Sequence, residues 1–300
     1  MTTDFITMRD GKRVAVTYWD DAVSPRAAVV LVHGMCEYIA RYDDFCKFLN
    51  SNGYYVMGMD NRSFGHTDPG DAMGKGYAGM FEDTVDDIKQ EVDTAKARWN
   101  VDKVFVIGHS YGSFLTQRFI EKYYADVAGA ILCGSAYRAG ASVAFGSSIA
   151  DRKYKKDPDA PGKIFEKFTF IGYDKKIKDG KNGWINRDKA EVAKYNADPM
   201  CNFTCSVGFY KSFFDGMKNI NKYRGETPGK FKLMIASGDD DGVGGYGKLV
   251  RKLEKVYRKE CGIIPRLKLY EGGRHEILNE INKGVVYEDF VSFLDDCMGG

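Results

Sequence analysis

The junction at residues 103–124 constrains this chain more than any other feature. A short apolar run, Lys103 to Ile107 (KVFVI), ends at Gly108-His109-Ser110-Tyr111-Gly112 and passes straight into a helical run. That run, Phe114 to Tyr124, carries Leu115, Phe119 and Tyr123 at i, i+4 and i+8. The pattern is strand, G-x-S-x-G, helix. A turn this sharp holds its central serine in a strained backbone conformation and lifts the hydroxyl above the end of the sheet. Gly108 and Gly112 remove side chains where the turn crowds its neighbours.

The rest of the first half supplies the sheet that such a turn needs. Val14 to Trp19, Ala27 to Val32, Tyr54 to Met59 and Val127 to Cys133 read as strands rich in β-branched residues. Tyr42 to Leu49 reads as a short helix between the second and third of them. Val85, Ile88, Val92, Ala95 and Trp99 advance by 3, 4, 3 and 4 and so share one helix face. Glu82, Asp83, Asp86 and Asp87 lie in or near its first turn, where the helix dipole favours negative charge. Alternating strands and helices predict a mostly parallel central sheet with helices on both faces. The alternation stops near Ala136 and resumes with Phe231 to Ala236, a helix over Tyr246–Glu260, a strand over Arg266–Tyr270 and a last helix over Gly284–Asp296. We therefore expect an α/β core from residues 1–135 and 229–300, with residues 136–228 inserted as a lid.

A serine hydroxyl is a poor nucleophile at neutral pH and needs a positioned base. The chain has 4 histidines: His33, His66, His109 and His275. In the α/β-hydrolase arrangement the order along the chain is serine, acid, histidine. Only His275 follows Ser110, and it lies just after the last expected strand. The acid should come from the loop after FKLMIAS, which reads Gly238-Asp239-Asp240-Asp241-Gly242. Spacing alone does not choose among the three aspartates. Negative charge on a reacting carbonyl oxygen would be met by backbone N–H groups. The candidates are Tyr111, next after the serine, and Met35, in the loop after VVLVHG.

Composition excludes several other classes. With 44 basic and 42 acidic residues the net charge is +2, which leaves no footprint for nucleic acid. No apolar run approaches the roughly 20 residues of a membrane-spanning helix. The N-terminal MTTDFITMRDGKR lacks the apolar stretch of a signal peptide. The 7 cysteines form no C-x-x-C pair, so reduced thiols in a cytoplasmic protein are expected. Neither D-D-D-G nor Cys201-x-x-x-Cys205 has the spacing of a metal site, and no metal is expected.

LVHGMCEYIARYDDF, MDNRSFGHTD, VIGHSYGS, ASGDDDGVGGYGK and YEGGRHEILNE occur in an order that resembles lidded α/β-hydrolases. The branch they resemble is that of monoacylglycerol lipases and lysophospholipases, also called serine aminopeptidase-like hydrolases. The matching blocks run from about residue 28 to 280, and NADPMCNFTCSVGFYKSFFDG resembles the lid of bacterial members. The resemblance implies Ser110 as nucleophile, Asp241 as acid and His275 as base, with Met35 and Tyr111 as oxyanion donors. Asp241 is singled out because the family acid stands two residues before a Val-Gly pair, here Val243-Gly244. Ser63 and Phe64 replace the Gly-His of the family's D-x-R-G-H-G pattern, and Tyr111 stands where Met is frequent.

The expected activity is hydrolysis of carboxylic esters of small lipid-like molecules, of monoacylglycerol or lysophospholipid type, through an acyl-enzyme and without a cofactor. An amide or thioester bond would suit the same triad, and a non-catalytic ligand-binding protein could share the fold. The insertion carries Phe145, Ile164, Phe165, Phe168, Phe170, Trp184, Phe203, Phe209, Phe213, Phe214 and Met217. Most are expected in its own core, some along an acyl tunnel. Residues 151–189 hold 12 basic and 7 acidic side chains, read mainly as a solvated face that would also suit transient contact with an anionic membrane surface.

Overall fold

The computed structural model describes residues 1–169 and 171–299, without the side chains of residues 168, 169 and 171. The side chain of Phe168 and the whole of Phe170, both named above for the insertion, lie outside what it describes. The strands are β1 (Thr2–Thr7), β2 (Arg13–Trp19), β3 (Ala27–Val32), β4 (Tyr54–Met59), β5 (Val104–His109), β6 (Gly129–Cys133), β7 (Leu233–Gly238) and β8 (Arg266–Tyr270). They form one 8-stranded sheet in the order β1-β2-β4-β3-β5-β6-β7-β8. β1 and β2 are antiparallel additions at one edge, and β4 through β8 in sheet order run parallel.

Helices follow the strands as α1 (Asp43–Ser51), α2 (Met80–Trp99), α3 (Tyr111–Tyr123), α4 (Ala141–Tyr154), α5 (Lys163–Thr169), α6 (Ile171–Ile177), α7 (Lys189–Ala197), α8 (Val207–Tyr223), α9 (Lys248–Cys261) and α10 (Lys283–Met298). The two-residue period of the central strands divides the core into two layers. Ala28, Val30, Val32, Val104 and Val106 face Val85, Ile88 and Val92 of α2 and Leu115 and Phe119 of α3. Val29, Leu31, Phe105 and Ile107 face Phe45 and Leu49 of α1 and Phe290 and Leu294 of α10. Both faces are covered, which is why β3 and β5 read as continuous apolar runs.

β3 lies beside β5, and the chain leaves these two strands in opposite directions across the sheet. A crevice opens at such a switch point, outside the carboxyl ends of the strands. The loop after β3 and the turn after β5 meet there. Between β6 and β7 the chain runs through α4–α8, and α8 packs on α2, α3 and α4.

Besides the helices of the insertion, two elements differ from the sequence reading. β1 was not expected, because its side chains are nearly all exposed and carry no core-facing alternation; it forms by pairing along β2. α9 begins at Lys248 rather than Tyr246, because Gly245, Tyr246 and Gly247 take φ of 60°, 56° and 78°. Left-handed backbone cannot start a right-handed helix. Among the described residues no helix is long and apolar enough to cross a membrane.

α3 crosses β3 in close backbone contact. A Cβ at Gly112 would run into the carbonyl oxygens of Val32 and His33. Those are backbone atoms and cannot turn away. Gly112→Ala is therefore expected to destabilise the protein by about 1–3 kcal/mol or more, read as a lowered thermal unfolding midpoint.

Candidate active site

Ser110 is the single residue between β5 and α3, with φ 52° and ψ −117°. Its N–H donates to Cys133 O at 3.0 Å, and its own carbonyl accepts from Ser113 Oγ at 2.6 Å and Phe114 N at 3.3 Å. The backbone is thus held on both sides of a conformation that a non-glycine residue rarely adopts. Ser110 sits over the first turn of α3, whose free N–H groups favour negative charge.

His275, in the loop after β8, brings Nε2 to 2.8 Å from Ser110 Oγ. Its Nδ1 lies 3.1 Å from Asp241 Oδ2. A carboxylate can only accept, so Nδ1–H donates to Asp241 and Nε2 is left to accept from the Ser110 hydroxyl. Asp241 is fully buried. Ser237 Oγ donates to its Oδ2 at 2.9 Å and Val243 N to its Oδ1 at 2.8 Å. Burial opposes ionisation of Asp241, but the facing His275 and these donors outweigh it and lower the carboxyl below its ordinary range. Of the other two aspartates, Asp239 turns to Gly272, its Oδ1 accepting from Gly272 N at 2.7 Å, and Asp240 is only half-buried on the loop. Met35 and Tyr111 both line the cavity beside Ser110.

The remaining histidines are committed to other partners. His33 Nδ1 lies 2.8 Å from Gly34 O, and its Nε2 accepts from Asn61 N at 2.8 Å. His66, more than half exposed, pairs with Asp60 at 3.0 Å. His109 turns away from the elbow into a buried charged cluster that sequence reasoning missed. The centre of that cluster is Glu37. Its Oε1 accepts from Gly34 N at 2.6 Å, Tyr42 OH at 2.8 Å and His109 Nδ1 at 3.1 Å, and its Oε2 from Arg41 at 2.5 Å. Arg41 reaches on to Glu276 with bonds of 2.8 and 2.9 Å. His109 Nε2 lies 3.3 Å from the carbonyl of His275. Burial opposes charge on Glu37, but Arg41 and His109 outweigh it, so its carboxyl lies far below the ordinary range. Burial likewise opposes charge on His109, and Glu37 outweighs it, raising its pKa. One cluster therefore joins the loop after β3, the elbow and the loop bearing His275.

Two cavities meet at Ser110 and Met35. One, of about 330 Å³, is apolar, with Phe114, Val143, Phe165, Phe213, Phe214 and Met217 in its wall. The other, of about 320 Å³, is more polar and is lined by Glu166, Asp174, Asn182, Trp184, Tyr195 and Phe203 among others. The expected insertion aromatics whose side chains are described divide between the two, except Phe209, which is fully buried against Phe64 and Tyr111. Phe64, one of the residues that depart from the family pattern, is itself core, packed on His33 and Tyr111. Cys205 Sγ lies 3.5 Å from Cys36 Sγ, and all seven thiols are free.

A doubly covered parallel sheet with a serine on the turn after β5 is an α/β-hydrolase. Residues 23–282 match the model of the serine aminopeptidase S33 family, and the chain belongs to that family. It is 24% identical over 288 residues to the human monoglyceride lipase, covering 93% of this chain and 86% of the relative. It is also 24% identical over 291 residues to the monoacylglycerol lipase of Mycolicibacterium smegmatis, covering 95% and 93%. The crystal structure of a thermostable carboxyl esterase from Bacillus coagulans in complex with glycerol superposes with a TM-score of 0.88. That match has 25% identity and covers 99% of this chain and 98% of that one.

Two buried carboxylates make the fold sensitive to acid. Asp241 and Glu37 have lower pKa values folded than unfolded, so their stabilisation is complete above the ordinary carboxylate range and is lost as pH falls through their folded values. Removing Glu37 strips a buried charge pair of one partner, so Glu37→Gln is expected to cost about 3–5 kcal/mol. Denaturant unfolding at neutral pH would measure the loss, which should shrink in strong acid.

Proposed function

We propose that the protein is a serine hydrolase that cleaves carboxylic esters of small lipid-like substrates, of monoacylglycerol or lysophospholipid type. The observation that carries this reading is the pair of contacts on His275, 2.8 Å to Ser110 Oγ and 3.1 Å to Asp241 Oδ2. In this reading His275 takes the proton of Ser110 as Oγ attacks the ester carbonyl. Asp241 keeps the imidazole in the required tautomer and stabilises the imidazolium. The backbone N–H groups of Met35 and Tyr111 meet the oxyanion. His275 then protonates the departing alcohol, leaving an acyl group on Ser110, and activates the water that releases it. The chemistry needs no cofactor.

The two cavities support a division of labour. The apolar one suits an acyl chain and the polar one a hydroxyl-bearing alcohol. Each buried CH₂ contributes about 0.8 kcal/mol, so acyl length should govern kcat/KM until the cavity is full. Residues 136–228 act as a lid over this site, on a core of 1–135 and 229–300. The relatives named lipases and esterases favour an ester over an amide or thioester. Seven free thiols favour a reducing, cytoplasmic setting.

Ser110→Ala is expected to abolish turnover of p-nitrophenyl esters and labelling by a fluorophosphonate. Retained turnover would overturn the assignment. Asp241→Asn should lower kcat by up to about 10⁴, while Asp239→Asn and Asp240→Asn stay near wild type. A panel of acylglycerols, lysophospholipids, thioesters and amides with one common acyl chain would rank the bond type and the alcohol.

A further inference from the structure

The Asp241 bond leaves one freedom of His275 unsettled. A histidine ring has a broad, roughly two-fold χ2 preference, so a single hydrogen bond at Nδ1 does not fix the plane of the imidazole. Two rings contact it. His109 lies at 4.9 Å between centroids, and Trp184 at 5.2 Å with an interplanar angle of 36°. Trp184 comes from the insertion, in the short turn Gly183–Ile185 between α6 and α7.

That turn is bound to the loop bearing His275 along its whole length. Arg274 Nη1 reaches Asp179 Oδ2 at 2.8 Å, Gly183 O at 2.6 Å and Asn186 O at 2.9 Å. Glu276 N donates to Ile185 O at 2.8 Å, and Asn186 Nδ2 to Asn279 O at 2.9 Å. Arg187 bonds Glu280 through N at 3.0 Å and Nε at 2.9 Å. The residues on both sides of His275, Arg274 and Glu276, are thus tied to both sides of Trp184. Glu280 Oε1 also accepts from Arg274 N at 3.1 Å. Such a fixed segment is a wall of the site, whatever the helices around it do.

We propose that Trp184 is a positioning residue for His275: its indole, held by the Arg274 clamp, restricts the imidazole plane and keeps Nε2 aimed at Ser110 Oγ. The inference rests on the proposed Ser110–His275–Asp241 triad. Reactions of this kind are sensitive to alignment, and a displacement of about 1 Å can cost about 10² in rate. The insertion then contributes to proton transfer as well as to substrate binding, and its contribution is independent of which ester is bound.

The test compares Trp184→Leu and Trp184→Phe in the full-length protein, with Ser110→Ala as control. Each variant is measured for labelling by a small ethyl fluorophosphonate and for kcat and KM on acetyl and dodecanoyl p-nitrophenyl esters. Trp184→Leu should lower the labelling rate and kcat by about tenfold or more, equally for both esters, with KM changed by about twofold or less. Trp184→Phe, which keeps a flat ring, should restore most of the loss. Wild-type rates in Trp184→Leu, or a loss seen only in KM or only with the long ester, would overturn the proposal. If Trp184→Leu does not fold, Arg274→Gln loosens the clamp without touching either ring. A fall in its kcat of about threefold or more supports the proposal, and wild-type kcat overturns it. Labelling that persists in Ser110→Ala would instead overturn the triad, a result distinct from any of these.

Discussion

The site depends on a backbone conformation that the chain would not adopt alone. Ser110 at φ 52° lies in a region that costs a non-glycine residue of order 1–3 kcal/mol. It is held there from three directions. β5 pairs with β3 and β6 up to the residues before it. α3 begins directly after it and packs so closely on β3 that only glycine fits at 112. Its N–H is bonded across to Cys133 of β6. The strain is local and the restraint is global, so the serine hydroxyl keeps its aim only while the central sheet is intact.

Around this turn the fold buries charge, and the burial explains how loops can be as rigid as strands. Glu37 receives four hydrogen bonds from the loop after β3, from Tyr42 and from His109. Arg41 carries the connection to Glu276, next to His275, and its guanidinium stacks at 4.9 Å on Tyr195 of α7. A pair buried in this way is costly to break and awkward to rearrange. The loops after β3, β5 and β8 are therefore one unit, and the insertion is joined to that unit at Trp184 and at Tyr195.

Much of this was legible in the sequence, for identifiable reasons. The apolar runs of β3 to β7 follow from burial on both faces. The turn at Ser110 is marked by two glycines whose spacing the helix–strand crossing requires. His275 followed from order alone, since the other three histidines precede or adjoin the serine. β1 was illegible because most of its residues face solvent and it is held mainly by hydrogen bonding to β2. Glu37 was illegible because a lone carboxylate in a turn looks like solvated charge until the fold brings His109 and Arg41 to it. Among Asp239, Asp240 and Asp241 spacing was silent, and the choice rested on the Val-Gly pair. In the structure the backbone N–H of Val243 bonds the carboxylate of Asp241. The helices of the insertion were missed for unequal reasons: α7 buries only Val192 and so shows little apolar periodicity, whereas α8 buries Phe209, Ser212, Gly216 and Ile220 along one face, with small and polar residues at two of those positions masking the pattern.

β8 is the outermost strand on its side of the sheet, and four of its five residues are only half-buried. The loop that follows it presents His275. Edge segments with little buried apolar surface open at lower free-energy cost than the centre of a domain. The bonds that Arg274, Glu276 and Glu280 make to residues 183–187 therefore brace this margin from outside the sheet, so that a segment from between β6 and β7 does the holding that a further strand would otherwise do.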